Sequence, residues 1–405
     1  MAVENIYGIA DGIPIPNSLD VSIIEGEPIP KGITELEDGS AIVGEMEMEA
    51  EAPIAIPFDA NLAEHIDEDV LADISSELVG DIEDDRNSRS DWEDQYKSGL
   101  ELLGMTYEDR SEPFEGASGI VHPLLAESVT QFQAQAYREM LPAGGPVKTA
   151  IIGAETPETT AQAERVRNYM NYQITYEMEE YDPELDQMLF YLPIVGSAFK
   201  KVYLDPNLQR AVSKFVHSED LIVPYNATDL ATATRITHCI RMDKNEIRKL
   251  QLSGFYTDIE LPSSGSDSDT MDDVKDAINE IEGISGSSVQ NEDMIIYEVH
   301  TNLDIEGFED IGADGEPTGL KMPYIVTIME DSGDILSIKR NFNESDPLRR
   351  KIPYFVHYKF LPGLGFYGFG LTHTIGGLSR ASTSILRQLI DAGTLSNLPA
   401  GFKAR

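Results

Sequence analysis

Three observations along the 405-residue chain predict an α+β fold. Apolar residues recur every three to four positions between residues 90 and 196, and they alternate with polar ones from 197 onward. A last helical stretch follows a glycine-rich turn near residue 365. The first half should therefore be helical, the second should hold short strands, and the end should be a long helix.

The helices can be taken in order. SDWE at 90–93 has the form of a capping box, in which Ser90 and Glu93 satisfy each other's orphan amides. Trp92, Tyr96, Leu100 and Leu103 then share one helical face. A second helix follows the link PFEGASG and runs through HPLLAESVTQFQAQAYREML, with Leu125, Val129, Phe132, Ala136 and Met140 on one side. PAGGP at 142–146 stops it. A third opens at TPET, with Thr156 as cap and Pro157 at the first helical position, and its apolar side carries Val166, Met170 and Ile174 toward Tyr181. DPELDQMLFYLPIVG supplies a fourth.

The period then changes to two. SAFKKVYLD at 197–205, AVSKFVHSEDLIV at 211–223 and RITHCIRM at 235–242 read as strands with turns at DPN and YNAT. DKNEIRKLQLSG is a short helix closed by Gly254, and LPSSGSDSD at 261–269 is a linker before a small acidic helix carrying Val274, Ile278 and Ile281. Strands return at 294–305, 323–330 and 334–341. In the final helix Ile375, Leu378, Ile385, Leu389 and Ile390 form an apolar face, thinned early by Gly376 and Gly377, and Arg380 and Arg387 lie seven residues apart on one face. These elements divide the chain into an acidic, disordered arm at 1–85, a helical and β region at 86–260, and a linker with a short helix at 261–293. A β-rich region at 294–352 and a strand, turn and helix at 353–405 complete it.

Charge excludes whole classes of function. The chain carries 72 acids against 30 bases, a formal net charge of −42, which repels phosphate and rules out a protein that grips nucleic acid with a basic face. Residues 1–85 hold 23 acids and one base, Lys31, giving −22. Residues 335–405 hold ten bases and three acids, giving +7. The arm's like charge and low apolar density cannot offset the entropy of ordering it. One cysteine, Cys239, excludes a disulfide framework within the chain. The first residues, MAVENIYGIADG, lack the basic and apolar parts of a signal peptide. LFYLPIVGSAF at 189–199 is about half of the roughly 20 residues that span a bilayer, so no membrane partner is expected.

Several patterns resemble catalytic or cofactor motifs and fail in context. GLGFYG at 363–368 matches GxGxxG, but Pro362 breaks the approach and no second strand brings an acid to a ribose. GPVKT at 145–149 lacks the Gly-Lys pair of a phosphate loop. DIGADGEP at 310–317 has Gly312 and Lys321 where a calcium loop needs ligands, and Asp314-Gly315 suits a hairpin turn. The seven histidines never fall three or four apart, and adjacent His238 and Cys239 would point to opposite faces of a strand. No catalytic, cofactor or metal residue emerges, and no enzyme is expected.

Read together, three segments resemble the portal proteins of tailed bacteriophages, especially those with short tails. They are PFEGASGIVHPLLAESVTQFQAQAYREMLPAGGPVKT, the strands YLPIVGSAFKKVYLD with SEDLIVPYNATDLATATRITHCIRM, and PYFVHYKFLPGLGFYGFGLTHTIGGLSRASTSILRQLIDAGTLSN. In portals a strand enters a PG…YG turn and then a stem helix with an Arg-Gln…Asp pattern, here Arg387, Gln388 and Asp391. The resemblance covers 90–405. It implies that Gly363, Gly365, Tyr367 and Gly368 make a strand-to-helix turn, that 90–300 form a wing and part of the stem, and that 294–352 form a clip. It further implies a stem helix at 366–397, with LPAGFKAR beginning a tunnel loop, in a chain that continues further.

The implied function is structural. A homo-oligomeric ring, a dodecamer, sits in the virion at one capsid vertex and is assembled in the host cytoplasm. Double-stranded DNA is packaged and ejected through it, with terminase, major capsid, scaffolding and tail adaptor proteins as partners and no cofactor. Arg380, Arg387, Lys403 and Arg405 are the candidates to face DNA; alternatively Arg380 and Arg387 pair with Asp391 or a neighbouring subunit. The competing expectation is an acidic DNA mimic or protein-interaction module.

Overall fold

The computed structural model describes residues 33–35, 41–43, 56–104, 110–205, 208–262, 278, 281, 294–312 and 316–397. The chain divides into two units, Met1–Ile56 and Pro57–Arg405. In the first, β1 (Ile33–Glu35) and β2 (Ala41–Val43) pair antiparallel with Ile33 opposite Val43. The description that follows concerns the second.

Order begins well before Ser90, which corrects the expectation of an acidic arm reaching residue 85. Helix α1 (Glu68–Ser88) buries Leu78 and Ile82 almost completely. Leu71, Ile74, Leu78 and Ile82 fall at helical spacing, a signal masked by the acids among them. Two of those acids have partners, because Arg235 forms ion pairs with Asp81 and Asp85. The rest of the expected arm, up to residue 55 and apart from β1 and β2, lies outside the described residues.

Helix α2 (Ser90–Glu101) follows after a single residue, so Arg89 occupies the N-cap position and no side chain caps the helix. The SDWE box is therefore not formed: with a helix arriving directly at residue 88, Ser90 is already helical. The buried face is as spaced, with Trp92, Tyr96 and Leu100 inside. Helix α3 (Leu124–Met140) buries Leu125 and Val129, while Met140 is exposed at its end. Helix α4 (Pro157–Tyr172) starts on Thr156, whose hydroxyl accepts from the Thr159 amide, and continues as a π-helical turn over Gln173–Glu177. None of its residues is buried, so the expected core face of Val166 and Met170 is open to solvent. Helix α5 (Tyr181–Val195) is the central one, burying Leu185, Met188, Leu189, Leu192 and Ile194.

Strands β3 (Ser197–Asp205), β4 (Arg210–Val216) and β10 (Phe355–Lys359) form one antiparallel sheet in the order β10-β3-β4. Strands β5 (Leu221–Ile222), β6 (Arg235–Met242), β7 (Met294–Leu303), β8 (Met322–Met329) and β9 (Ile335–Arg340) form the other in sequence order. Helix α6 (Lys244–Leu252) packs Ile247 against the second sheet's Met294, Ile296 and Leu336. The second sheet joins strands from both sides of residues 261–293, so the division drawn there does not separate two structural bodies. Of the acidic helix expected after the linker, only Ile278 and Ile281 are described, both half-buried against the core, and the Asp314-Gly315 turn lies outside the described residues.

Polar groups close this architecture where apolar packing cannot. The Asn61 side chain treats the β9 edge as a neighbouring peptide would, donating Nδ2 to Leu336 O at 3.1 Å and accepting from Ile338 N at 2.9 Å. Between the sheets, Lys201 Nζ donates to both Glu298 carboxylate oxygens at 2.6 and 2.7 Å, and Glu298 Oε1 also meets His300 Nε2 at 2.8 Å. Burial alone would raise the Glu298 carboxyl, but Lys201 and His300 hold it well below the usual carboxylate range. His238 faces Phe355 at 5.6 Å between ring centroids, whereas Cys239 is buried and faces the field of Arg86 on α1, so neighbours in β6 do point to opposite sides. Burial pushes the Cys239 thiol up to about 12, leaving it neutral and inert.

Candidate functional site

The chain's last helix, α7 (Leu371–Asn397), is reached from β10 through a turn that begins at Phe360. It starts at Leu371 and not at 366, because Phe366–Gly370 still belong to the turn. Leu361 and Phe369 exchange backbone hydrogen bonds of 3.2 and 2.9 Å and close a loop around GLGFYG.

Glycine is required in this loop for close approach. A Cβ on Gly363 would fall well inside 3.0 Å of Tyr367 O. One on Gly368 would meet the carbonyls of Gly196 and Leu361, and one on Gly370 that of Ile194. Backbone therefore packs directly on the C-terminus of α5, which ends at Gly196 with φ +92°. At Gly365 the nearest group is Tyr225 at an ordinary 3.8 Å, so that glycine has no such packing reason.

The two aromatics of the turn anchor it. Phe366 is completely buried and stacks against His357, 4.8 Å between centroids. Tyr367 lies flat on Trp92 at 4.2 Å and accepts from Arg89 Nη1 at 3.3 Å. Arg89 is only 2% exposed. Its guanidinium also donates to the carbonyls of Ser218, Glu219 and Leu221 and to Glu93. Burial alone would lower its pKa; Tyr367 and Glu93 hold it raised instead. One cation thus ties α2, the β4–β5 corner and the turn together. Nothing in the sequence marks Arg89 for this role, because its carbonyl partners lie about 130 residues away.

Ser197 fixes the turn from the sheet side, where its hydroxyl accepts from Gly368 N at 2.8 Å and meets His357 Nε2 at 3.1 Å. Burial, helped by Lys359, pulls His357 down to about 3, so the ring is neutral. Thr372 Oγ1 donates to Ile194 O at 2.9 Å. Gly99 of α2 faces Thr372, and Gly376 faces Leu102, which lets α2 and α7 approach closely.

Further along α7, Thr383, Arg387 and Asp391 recur every four residues and so share one face. Each grips the segment before α3: Thr383 Oγ1 accepts from His122 N at 3.0 Å, Arg387 Nε donates to Ile120 O at 2.7 Å, and Asp391 Oδ1 accepts from Ser118 N at 2.8 Å. Two stretches separated by about 270 residues, GASGIVHP and the Arg-Gln…Asp run, are thereby one structure. The buried face of α7 is Gly376, Ser379 and Thr383. Leu378, Ile385 and Leu389 are instead 61%, 67% and 69% exposed. The apolar face is thus the outer one: the small and polar residues lie against α2 and the 117–123 segment because only they permit so close a contact.

Of the four candidate cations, Arg387 is engaged with the 119–120 carbonyls and Arg380 is exposed on the neighbouring turn. Lys403 and Arg405 lie outside the described residues. Arg380, Arg387 and Asp391 line a cleft of about 620 Å³ together with Arg110, Phe114 and Gln388. Among the described residues no three His, Cys, Asp or Glu side chains gather to hold a metal ion, and no helix is long and apolar enough to cross a membrane.

Residues 207–402, just under half of the chain, match the family model described as the phage SU10 portal protein. The matched region runs from the start of β4 through the whole of α7 and includes the turn. No curated protein matches the chain.

Proposed function

We propose, from the portal-family match over residues 207–402, that this protein is a bacteriophage portal protein, a structural subunit of the ring that connects capsid and tail. The observation that carries the proposal is that the match includes the strand, the glycine-rich turn and α7 as one continuous module. In this reading α2 to α5 belong to the wing, the region 294–352 to the clip, and α7 is the stem helix. Twelve copies make the ring at the capsid vertex. Terminase, the major capsid and scaffolding proteins and tail adaptors meet it there, and it hydrolyses nothing.

Two features support the reading. The apolar residues Leu378, Ile385 and Leu389 are uncovered in a single subunit and suit contact with the next. The net charge of −42 suits a wall along which DNA slides, since many phosphate contacts would stall it. Of the four candidate cations, DNA contact is assigned to Lys403 and Arg405, because Arg387 already holds loop carbonyls and Arg380 lines the same cleft. Mass photometry and negative-stain imaging of the full-length protein test the proposal. Closed rings with a stain-filled centre are expected, and monomers at all concentrations overturn it.

A further inference from the structure

Helix α4 and its π-helical extension form the least buried helical segment of the described fold, yet they carry large apolar side chains. Val166, Tyr169, Met170, Tyr172 and Tyr176 are 44%, 59%, 41%, 55% and 75% exposed. Val166, Tyr169, Gln173 and Tyr176 follow one another at three- and four-residue spacing along one stripe. The stripe is already organised: Tyr172 and Tyr176 stack at 5.9 Å, and Gln173 Nε2 donates to Tyr169 Oη at 3.2 Å. The arm is braced from below, since Asn171 bonds both the N–H and the C=O of Val147, at 2.9 and 3.2 Å. Exposed tyrosines on a braced helix have the composition and low ordering cost of a protein interface.

The charge of the arm selects the partner. Residues 155–179 hold five acids (Glu155, Glu158, Glu164, Glu177, Glu179) and two bases (Arg165, Arg167), and 2 − 5 gives −3. Such a surface disfavours nucleic acid and favours a cationic protein patch. The same chain carries one: Arg110 and Arg380 line the 620 Å³ cleft beside α7 with Glu101, and 2 − 1 gives +1, while Arg387 and Asp391 are held by the 118–120 backbone. On a chain of net −42 a positive cleft is unusual, and Phe114 and Leu395 in its wall suit aromatic rings, as guanidinium groups suit tyrosine faces. A patch and a complementary, different patch on one chain are what a head-to-tail ring contact requires.

We infer that the α4 arm of one subunit docks its tyrosine stripe into the Arg110–Arg380 cleft beside α7 of the next copy. The inference rests on the ring reading and adds which surfaces meet. Tyr172 replaced by a photoreactive benzoyl-phenylalanine, in full-length protein mixed from isotope-labelled and unlabelled copies, tests it by mass spectrometry of the cross-linked peptides. Cross-links between copies that map to residues 110–121 or 380–395 are expected. The triple variant Tyr169→Ser, Tyr172→Ser, Tyr176→Ser should keep its melting temperature within a few degrees and lose most of the ring population. Rings that persist in the triple variant, or cross-links mapping elsewhere, overturn the docking while leaving the ring reading intact. Monomers in the unsubstituted protein overturn the ring reading and the docking with it.

Discussion

Two buried histidines set how this fold answers to acid. Burial pulls His238 down to about 4, with Lys201 adding repulsion, and pulls His357 down to about 3, with Lys359 adding to it. Both values lie below the ordinary ~6.5, so the unfolded chain takes up a proton at each where the folded chain does not. The stability contributed by the neutral rings is therefore complete above about pH 6.5 and is lost as pH falls toward 4. Two such groups give a slope of about 2.7 kcal/mol per pH unit across that window. Glu298 works in the same direction lower down, because its depressed carboxyl favours the fold above about pH 4.3 and ceases to as pH falls. Denaturant melts between pH 7 and 4 should show at least two protons taken up on unfolding, and His238→Asn and His357→Asn should each remove about one. A slope unaffected by either substitution would rule the account out. His238 could not be singled out from sequence, since its neighbour Phe355 on β10 lies more than 100 residues away, and His357 is buried by Phe366 only because the turn folds back over β10.

At the scale of elements, periodicity carried much and failed where contacts are long-range. Strand β3 falls on the residues its alternation indicates, and α4 starts at Thr156 and Pro157 as its cap chemistry requires. Helix α1 is hidden in the sequence because acids surround its apolar stripe, and two of those acids, Asp81 and Asp85, pair with Arg235. The inner face of α7 is not marked by apolar periodicity, because a helix that packs closely against neighbouring backbone needs small residues there. The glycines of GLGFYG are legible as a turn, but the Gly196 carbonyl that demands Gly368, at the end of α5, lies about 170 residues earlier. That distinction can be measured. Gly368→Ala drives a methyl into the Gly196 and Leu361 carbonyls and should cost about 2 kcal/mol or more. Gly377→Ala, in open space inside α7, should stabilise by about 0.5–1 kcal/mol. Thermal melts of the two variants should move in opposite directions, and a Gly368→Ala protein that melts like the parent would refute the packing account.

For the molecule as a whole, net charge is informative only once it is divided. The −42 separates into −22 over residues 1–85, −27 over 86–334 and +7 over 335–405, so the chain repels DNA generally and offers cations in one segment. A conduit needs that combination: repulsion keeps DNA off the wall, and a few cations steady it without a grip that has to be broken at every step. Because Arg387 is occupied by the 119–120 carbonyls, substituting it would disturb the seam that joins α7 to the segment before α3 and would confound any effect on DNA. Lys403 and Arg405 are the cleaner probes. Each phosphate contact they make would contribute about 0.9 to the salt slope of DNA association, a weak hold suited to sliding. Lys403→Ala with Arg405→Ala should leave ring mass and appearance unchanged and lower the DNA retained per particle, more so as salt is raised. Packaging and retention equal to the parent's, in rings of normal mass, would remove these two residues from the DNA path.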